Sequence, residues 1–140
     1  EMYSSCTMAA EVQAAAQLDG MPADEAFLMA VQYMTQATAK WAAADGGSPR
    51  SVASRVLLAT EAVGLEPEMA AAMVELQTVD ACLQHALACD APMATVGHTA
   101  RRAAEAAGLA GEKAANFASE AAARAVAAEA VARGATPEQV

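Results

Sequence analysis

Apolar and polar residues follow a helical period along this chain, and their pattern recurs about every 44 residues. In three segments of about 15 residues, apolar side chains recur at i, i+4 and i+7, on one face of a helix. Each segment ends at a glycine and is followed by a longer apolar segment. The pattern predicts short helices at about 5–19, 49–63 and 93–107 and long helices at about 22–44, 66–89 and 110–133.

Sequence identities between the segments favour an internal repeat. Residues 51–75 and 95–119 share nine identical positions, of which five are not alanine. Random pairing would give roughly one non-alanine identity. We predict three repeated αα-hairpins, stacked as a short helical-repeat array or as one closed bundle. The alternative is three hairpins of similar length with ordinary helix ends. The units span about 4–47, 48–91 and 92–135 within a single domain, 1–140.

Glycine and proline mark the ends of the predicted helices. Gly64 can adopt the left-handed conformation that ends a helix, and Pro67 suits the first position of the next one. Gly20 and Gly108 lie at the equivalent positions of the other two hairpins. Residues 136–140 resemble the start of one more helix, so we expect that a further unit was lost or excised.

The repeat also predicts which side chains form the core. In the short helices the buried stripe comprises 8/52/96, 12/56/100 and 15/59/103, while the polar position 17/61/105 faces solvent. In the long helices the expected buried positions are 26/70/114, 29/73/117, 30/74/118 and 37/81/125. Position 29/73/117 carries methionine, methionine and phenylalanine, which we expect to fill space among the alanines.

Composition supports an all-α domain. Hydrophobic residues make up 56% of the chain and aromatic residues only 4%, because alanine, the strongest helix former, supplies much of the apolar content. No apolar run reaches the roughly 18 residues of a membrane span. Cys6, Cys82 and Cys89 lack the spacing of a disulfide framework, so we expect a cytoplasmic protein. The chain opens at Glu1 rather than methionine, which is compatible with an upstream signal that was removed.

Net charge narrows the possible partners. Seventeen acidic and eight basic residues give −9, and this charge disfavours nucleic-acid binding because phosphate backbones would be repelled. Residues 1–90 contain twelve acidic and three basic residues, whereas residues 91–140 contain five of each. A basic partner would therefore meet the first part of the chain. Solvation of helix surfaces by acidic side chains is the simpler explanation.

One long helix carries residue types that bind metals. Cys82, His85 and Cys89 lie at i, i+3 and i+7, near one helix face. Residues seven apart are separated by about 10.5 Å along a helix, which is too far for both cysteines to hold one ion. We therefore expect structural cysteines, no stoichiometric zinc and no cofactor. His85 with one cysteine would supply only half of a site, completed by a residue such as His98.

Other chemistry is poorly represented in the sequence. It contains no glycine-flanked nucleophile motif and no glycine-rich phosphate loop, and it has two histidines. We therefore predict no catalytic residue.

A contact surface is predicted where the repeat is interrupted. The position of Glu129 in the third unit is occupied by Trp41 and His85 in the other two, so we expect both to be exposed on one surface. Tyr33 precedes Trp41 by eight residues and lies on a similar face. The alternative is that Trp41 covers one end of the core.

The small number of charged residues in the last long helix indicates self-association. Residues 121–132 include only two charged side chains, so alanine and valine occupy more faces than one neighbouring hairpin can cover. We expect this helix to be buried on two sides, by a closed bundle or by another chain. Ala125→Glu or Ala128→Glu should then disrupt a homo-oligomer.

These patterns favour a non-catalytic helical-repeat interaction module that binds a protein partner or further copies of itself. The first alternative is a small-molecule or metal-binding carrier or enzyme with its site between hairpins near His85. The second is an acidic immunity or inhibitor protein. We expect neither nucleic acid nor membrane as a partner.

Overall fold

The computed structural model describes residues 5–134, with side chains from Thr7 onward. Within that range the chain forms six α-helices and no strand, so the all-α prediction is confirmed. The helices are α1 Ser5–Leu18, α2 Ala23–Ala44, α3 Pro49–Ala62, α4 Pro67–Ala88, α5 Met93–Ala106 and α6 Gly111–Ala132. Every predicted helix boundary lies within one residue of the observed one. The further helix start expected at 136–140 lies outside the described residues.

Each hairpin turns at a glycine in the left-handed conformation, as predicted. Gly20, Gly64 and Gly108 have φ angles of 91°, 76° and 110°. The residue after the glycine donates its backbone N–H to the preceding helix, as Leu65 N does to Thr60 O at 3.1 Å. The Leu65 side chain packs against the core. One turn therefore reverses the chain and buries an apolar side chain.

The connections between hairpins use the same kind of bend. Ser48 Oγ accepts a hydrogen bond from Ser51 N at 3.2 Å and caps α3. Gly47 N donates to Ala42 O at 3.0 Å, and a Cβ on Gly47 would lie 2.7 Å from that oxygen. A side chain is therefore excluded at this position. Before α5, Asp90 makes the bend with φ of 56°, a conformation that aspartate tolerates better than most residues.

The six helices form two layers. Helices α1, α3 and α5 pack in one layer, and α2, α4 and α6 pack in the other. Among the described residues, α2 and α6 do not contact each other, and α1 contacts neither α5 nor α6. The closed-bundle alternative is therefore wrong, and the two layers are open at both ends. Among the helices of residues 5–134, none combines the length and apolar character that crossing a bilayer requires.

Small side chains fill most of the core. The predicted positions 26/70/114 and 30/74/118 are buried in all three hairpins. Val52, Val56 and Val96 are also buried, and Met34 and Leu83 are the largest fully buried side chains. The polar position 17/61/105 is exposed throughout, as predicted.

Several predicted core positions differ from the structure. Met8 and Val12 of α1 are only partly buried, whereas their equivalents in α3 and α5 are buried. Ala15 is exposed and its neighbour Ala16 is buried, because α1 has no earlier hairpin beside it of the kind that covers the equivalent residues of α3 and α5.

Position 29/73/117 is only partly buried in each hairpin, since it lies at the edge of the helix interfaces. At 37/81/125 only Ala81, in the central long helix, is fully buried.

The long helices bury two threonines with different hydrogen bonding. Thr35 and Thr78 are both inaccessible to solvent. Thr35 Oγ1 donates to Val31 O at 2.8 Å, which compensates the burial of the hydroxyl. Thr78 Oγ1 has no hydrogen-bond partner. Burial of this hydroxyl therefore destabilises the fold.

The turn glycines should be needed for their backbone conformation alone. A Cβ at Gly64 meets nothing within 4 Å, so Gly64→Ala should lower the free energy of unfolding by about 1 kcal/mol through the left-handed φ. Gly97, inside α5, also has open space around it but no positive φ, and Gly97→Ala should raise stability by about 0.5–1 kcal/mol. Urea unfolding followed by circular dichroism measures both, and equal effects would contradict the explanation.

Removal of the unpartnered hydroxyl should stabilise the protein. Thr78→Val keeps the shape of the side chain and removes an uncompensated polar group, so the free energy of unfolding should rise by about 1 kcal/mol. The matched variant Thr35→Val loses the hydrogen bond that Thr35 donates to Val31 O. Its free energy of unfolding should therefore stay equal or fall by about 1 kcal/mol. Thermal unfolding of both variants provides the measurement. Stabilisation of equal size in both would show that the hydrogen bond is irrelevant.

Candidate functional site

An open groove of about 710 Å³ is lined only by the long helices. It exists because α2 and α6 each contact α4 but not each other, which leaves the space over α4 free. The central helix α4 supplies about half of the lining, and α2 and α6 supply the two sides. The lining residues are Gln32, Gln36, Leu76, Gln77, Val79, Asp80, Gln84, Leu87, Ala88, Phe117, Ala121, Arg124, Ala125, Ala128 and Glu129.

Glutamine amides are the most frequent polar groups in the groove. Gln77 is 4% exposed, and its Nε2 donates to Gln32 O at 3.3 Å, a bond that joins α4 to α2. Gln84 is exposed and donates from Nε2 to Asp80 Oδ2 at 3.0 Å. Gln36 is partly buried at the groove's edge. A primary amide both donates and accepts, so the accessible amides can bond to the main chain of a segment lying in the groove.

The side of the groove formed by α6 is more apolar. Ala121 is buried and Phe117 is partly buried, and both belong to or pack against the main core. The charged residues that line the groove are Asp80, Arg124 and Glu129. Of the described residues in this lining, none is a histidine, cysteine, serine or lysine. The groove therefore offers apolar contacts, amide hydrogen bonds and a few charges.

A second groove adjoins the first at the amino-terminal end of the array. It has a volume of about 630 Å³ and shares Gln32 and Gln36 with the first groove. Its other lining residues are Met21, Glu25, Leu28, Met29 and Tyr33, all on α2 or in the turn before it. Tyr33, one of the predicted contact residues, is 55% exposed. It thus lies at the outer edge of a continuous concave surface.

The other predicted contact residues occupy different places. Trp41 is 46% exposed and His85 is also exposed, and neither lines the two grooves. Glu129, at the equivalent position of the third unit, is half-buried and lines the main groove. Ala128 is exposed in that groove, and Ala125 is partly buried there against the core. Ala125 and Ala128 therefore belong to the groove side of α6.

The candidate metal residues are separated by burial. Cys82 is 7% exposed and belongs to the main core. Cys89 is exposed, with its Sγ 3.9 Å from His85 Nε2. In the part of the chain that the structure describes, no three histidine, cysteine or acidic residues are grouped as metal ligands. Burial also raises the pKa of the Cys82 thiol to about 11, so the thiolate that binds metals forms only at alkaline pH.

The groove glutamines and the charges beside them are absent from the sequence predictions. One signal for them exists: Gln36, Asp80 and Arg124, spaced 44 residues apart, are all polar, in the middle of apolar helices. The structure places all three in the lining of the groove. A position that is polar in all three long helices therefore indicates an accessible surface.

Comparison with protein-family models, with curated proteins and with solved structures finds no match for this chain.

The two described cysteines should differ strongly in reactivity. In a Cys6→Ser background, iodoacetamide at pH 8 should modify exposed Cys89 about 100-fold faster than Cys82, whose thiolate is scarce two pH units or more below its pKa. Because the raised pKa favours the neutral thiol in the folded state, the contribution of Cys82 to stability should fall as pH rises from about 9 to about 11. Mass spectrometry of the digested protein assigns each site. Equal rates in the native protein would contradict the buried position of Cys82.

Proposed function

We propose that this chain is a non-catalytic helical-repeat interaction module that binds a segment of a protein partner along the groove. The open groove across α2, α4 and α6 is the observation that carries this proposal. Its lining combines apolar surface with accessible amides, which suits recognition of a polypeptide main chain. The groove is open rather than enclosed, so a long partner segment can pass through it.

Three copies of one hairpin form the module in this proposal. The short helices begin at Ser5, Pro49 and Met93, each 44 residues after the last, and each has 14 residues. The long helices begin at 23, 67 and 111, again 44 residues apart, and each has 22 residues. Equal spacing and equal length support the repeat inferred from sequence identities. A repeated unit places equivalent residues side by side along one concave surface.

The partner segment is extended and carries basic side chains. Residues 1–90, which supply α2 and α4, contain twelve acidic residues and three basic ones. Asp80 and Glu129 line the groove, and Arg124 is the one cation among its described lining residues. Glu129 also pairs with Arg133 at 3.0 Å, so the attraction falls mainly on Asp80. A basic segment would therefore be attracted to the groove and oriented by it. This charge pattern is also what motivates the inhibitor-type alternative, which differs only in the identity of the partner.

A catalytic or carrier function has less support. His85, around which such a site was expected, is exposed and lines neither groove. A cavity of about 640 Å³ does lie between the second and third hairpins, lined by Leu87, Asp90 and Ala91 among others, but His85 is not part of its lining. We keep the cytoplasm as the expected compartment, because the three cysteines lack a disulfide spacing.

Peptide selection tests the groove directly. A random peptide library panned against the immobilised protein should enrich basic sequences, and a synthesised winner should bind in fluorescence anisotropy. Ala128→Arg places a bulky cation in the groove at an exposed position, so it should weaken this binding at least about tenfold. Ala72→Arg makes the same change at an exposed alanine of α4 outside the groove and should leave binding unchanged.

Two results would overturn the proposal. One is the absence of any enriched peptide with measurable affinity. The other is an enriched peptide whose affinity is insensitive to Ala128→Arg although circular dichroism shows that the variant is folded.

A further inference from the structure

The first long helix exposes an aromatic residue at a position that both later long helices bury. The equivalent positions 33, 77 and 121 are 55% exposed in α2 but 4% and 7% exposed in α4 and α6. Helices α4 and α6 each pack on an earlier long helix, whereas α2 has none before it. Tyr33 is therefore left uncovered, and Ala37 is partly buried where Ala81 of α4 is buried. Trp41 is exposed on the same face of α2, as its equivalent His85 is in α4. We call Met29, Tyr33, Ala37 and Trp41 the head surface.

The last long helix exposes the complementary surface. Thr35, Ala39 and Ala43 of α2 are 0%, 0% and 4% exposed, because α3 and α4 cover them. Their equivalents in α6 are exposed Ala123, partly buried Ala127 and Val131, which is 61% exposed. No later helix of the described chain packs on α6. We call Ala123, Ala127, Ala130 and Val131 the tail surface.

We propose that the tail surface of one copy binds the head surface of a second copy, so that the chain self-associates head to tail. This inference rests on the three-unit organisation proposed above. The contact repeats, between molecules, the packing that joins α2 to α4 and α4 to α6 within one molecule. The second copy is favoured over a different partner because the two surfaces are the two halves of that internal interface.

Two internal contacts fix the register. Gln77 Nε2 donates to Gln32 O at 3.3 Å, and Thr35 Oγ1 lies 3.9 Å from Met73 Sδ. Two steps of the 44-residue spacing between helix starts move Gln32 to Glu120 and move Gln77 past α6, to Tyr33 of the second copy. Tyr33 of the second copy is thereby placed at Glu120 of the first. The same shift places Met29 of the second copy at Ala123 of the first. Ala123 is exposed in the single chain and has space for the thioether.

Charge favours this pairing over head-to-head contact. The first unit, 4–47, contains five acidic residues and one basic residue, whereas the third unit, 92–135, contains four acidic and five basic residues. Two head surfaces would bring like charges together, while a head and a tail would not. An interface between two different surfaces does not close on itself by a two-fold axis. Association should therefore continue beyond the dimer as concentration rises.

Two blocked variants test the proposal by complementation. Tyr33→Glu blocks the head and Ala123→Glu blocks the tail, in each case at an exposed position. In sedimentation equilibrium from about 1 µM to about 1 mM, the wild-type mass should rise past two copies. Each variant alone should stay at the monomer mass of 14.2 kDa. An equimolar mixture should form a 1:1 dimer and nothing larger, because one competent head and one competent tail remain.

The register has its own test. In a Cys6→Ser, Cys89→Ser background, a Met29→Cys chain and an Ala123→Cys chain should be joined by a short bismaleimide when mixed. Ser54→Cys, at an exposed position of α3, replaces Met29→Cys in the control mixture and should give no cross-linked dimer. Equal cross-linking in both mixtures would overturn the proposed register.

Other outcomes separate this inference from the proposed function. A wild-type chain that stays monomeric, or folded variants that fail to complement each other, would overturn head-to-tail association. Binding of a peptide short enough to lie within one groove should be the same for Ala123→Glu and the wild type, since Ala123 does not line the groove. Intact peptide binding without association overturns only this inference, and association without any peptide binding overturns only the proposed function.

Discussion

One backbone hydrogen bond, made five times, determines how this chain reverses. After each of the first five helices, a residue with positive φ lets the next N–H bond back to a carbonyl of the helix's last turn. Only four residues separate each pair of consecutive helices, so this bond leaves the connection little conformational freedom. The donor–acceptor pairs are Met21–Ala16, Gly47–Ala42, Leu65–Thr60, Ala91–Ala86 and Leu109–Ala104.

Alanine lets the helices that these reversals bring together pack closely. Ten of the nineteen buried residues of the long helices are alanine, although only two of the eight in α4 are. Alanine has no side-chain entropy to lose and lets helix backbones approach. Few bulky groups hold the layers at a distance, and the larger side chains at 29/73/117 remain at the edges of the interfaces. The amide of Gln77 reaches across one such edge to Gln32 O. Close packing in the core thus places the polar side chains along the groove.

The sequence was most informative where a residue type restricts the backbone conformation of its own position. Glycine and proline define helix ends through backbone conformation alone, so Gly64 and Pro67 predicted the boundaries to within one residue. Whether the array closes is a different question, because it depends on a small rotation between hairpins that many alanine contacts determine together. No single residue encodes that rotation. The sequence could therefore not decide between a closed bundle and an open arrangement. It also predicts that Ala15 is buried, on a face that only a neighbouring hairpin could cover.

The same limit explains why most of the groove residues, apart from Ala125 and Ala128, were missed. Helical periodicity identifies the face that is buried, but the groove faces neither the core nor open solvent. Its lining combines accessible residues with buried ones such as Val79, and they meet only because the long helices pack side by side. Trp41 and His85 were predicted from the same kind of interruption, yet they lie outside both grooves. The sequence spacing shows which residues occupy equivalent places in the three hairpins. Only the structure shows where those residues lie in the folded molecule.

Head-to-tail association would also change the groove. The second groove, beside Tyr33, shares Gln32 and Gln36 with the first and lacks a long helix on its outer side. In the proposed contact, α6 of another copy occupies that side, so two grooves become one longer surface lined by consecutive long helices. A partner segment that crosses the junction then contacts both copies and stabilises their association, because it binds the pair better than either chain alone. By the same linkage, association strengthens the binding of a long segment and leaves that of a short one unchanged.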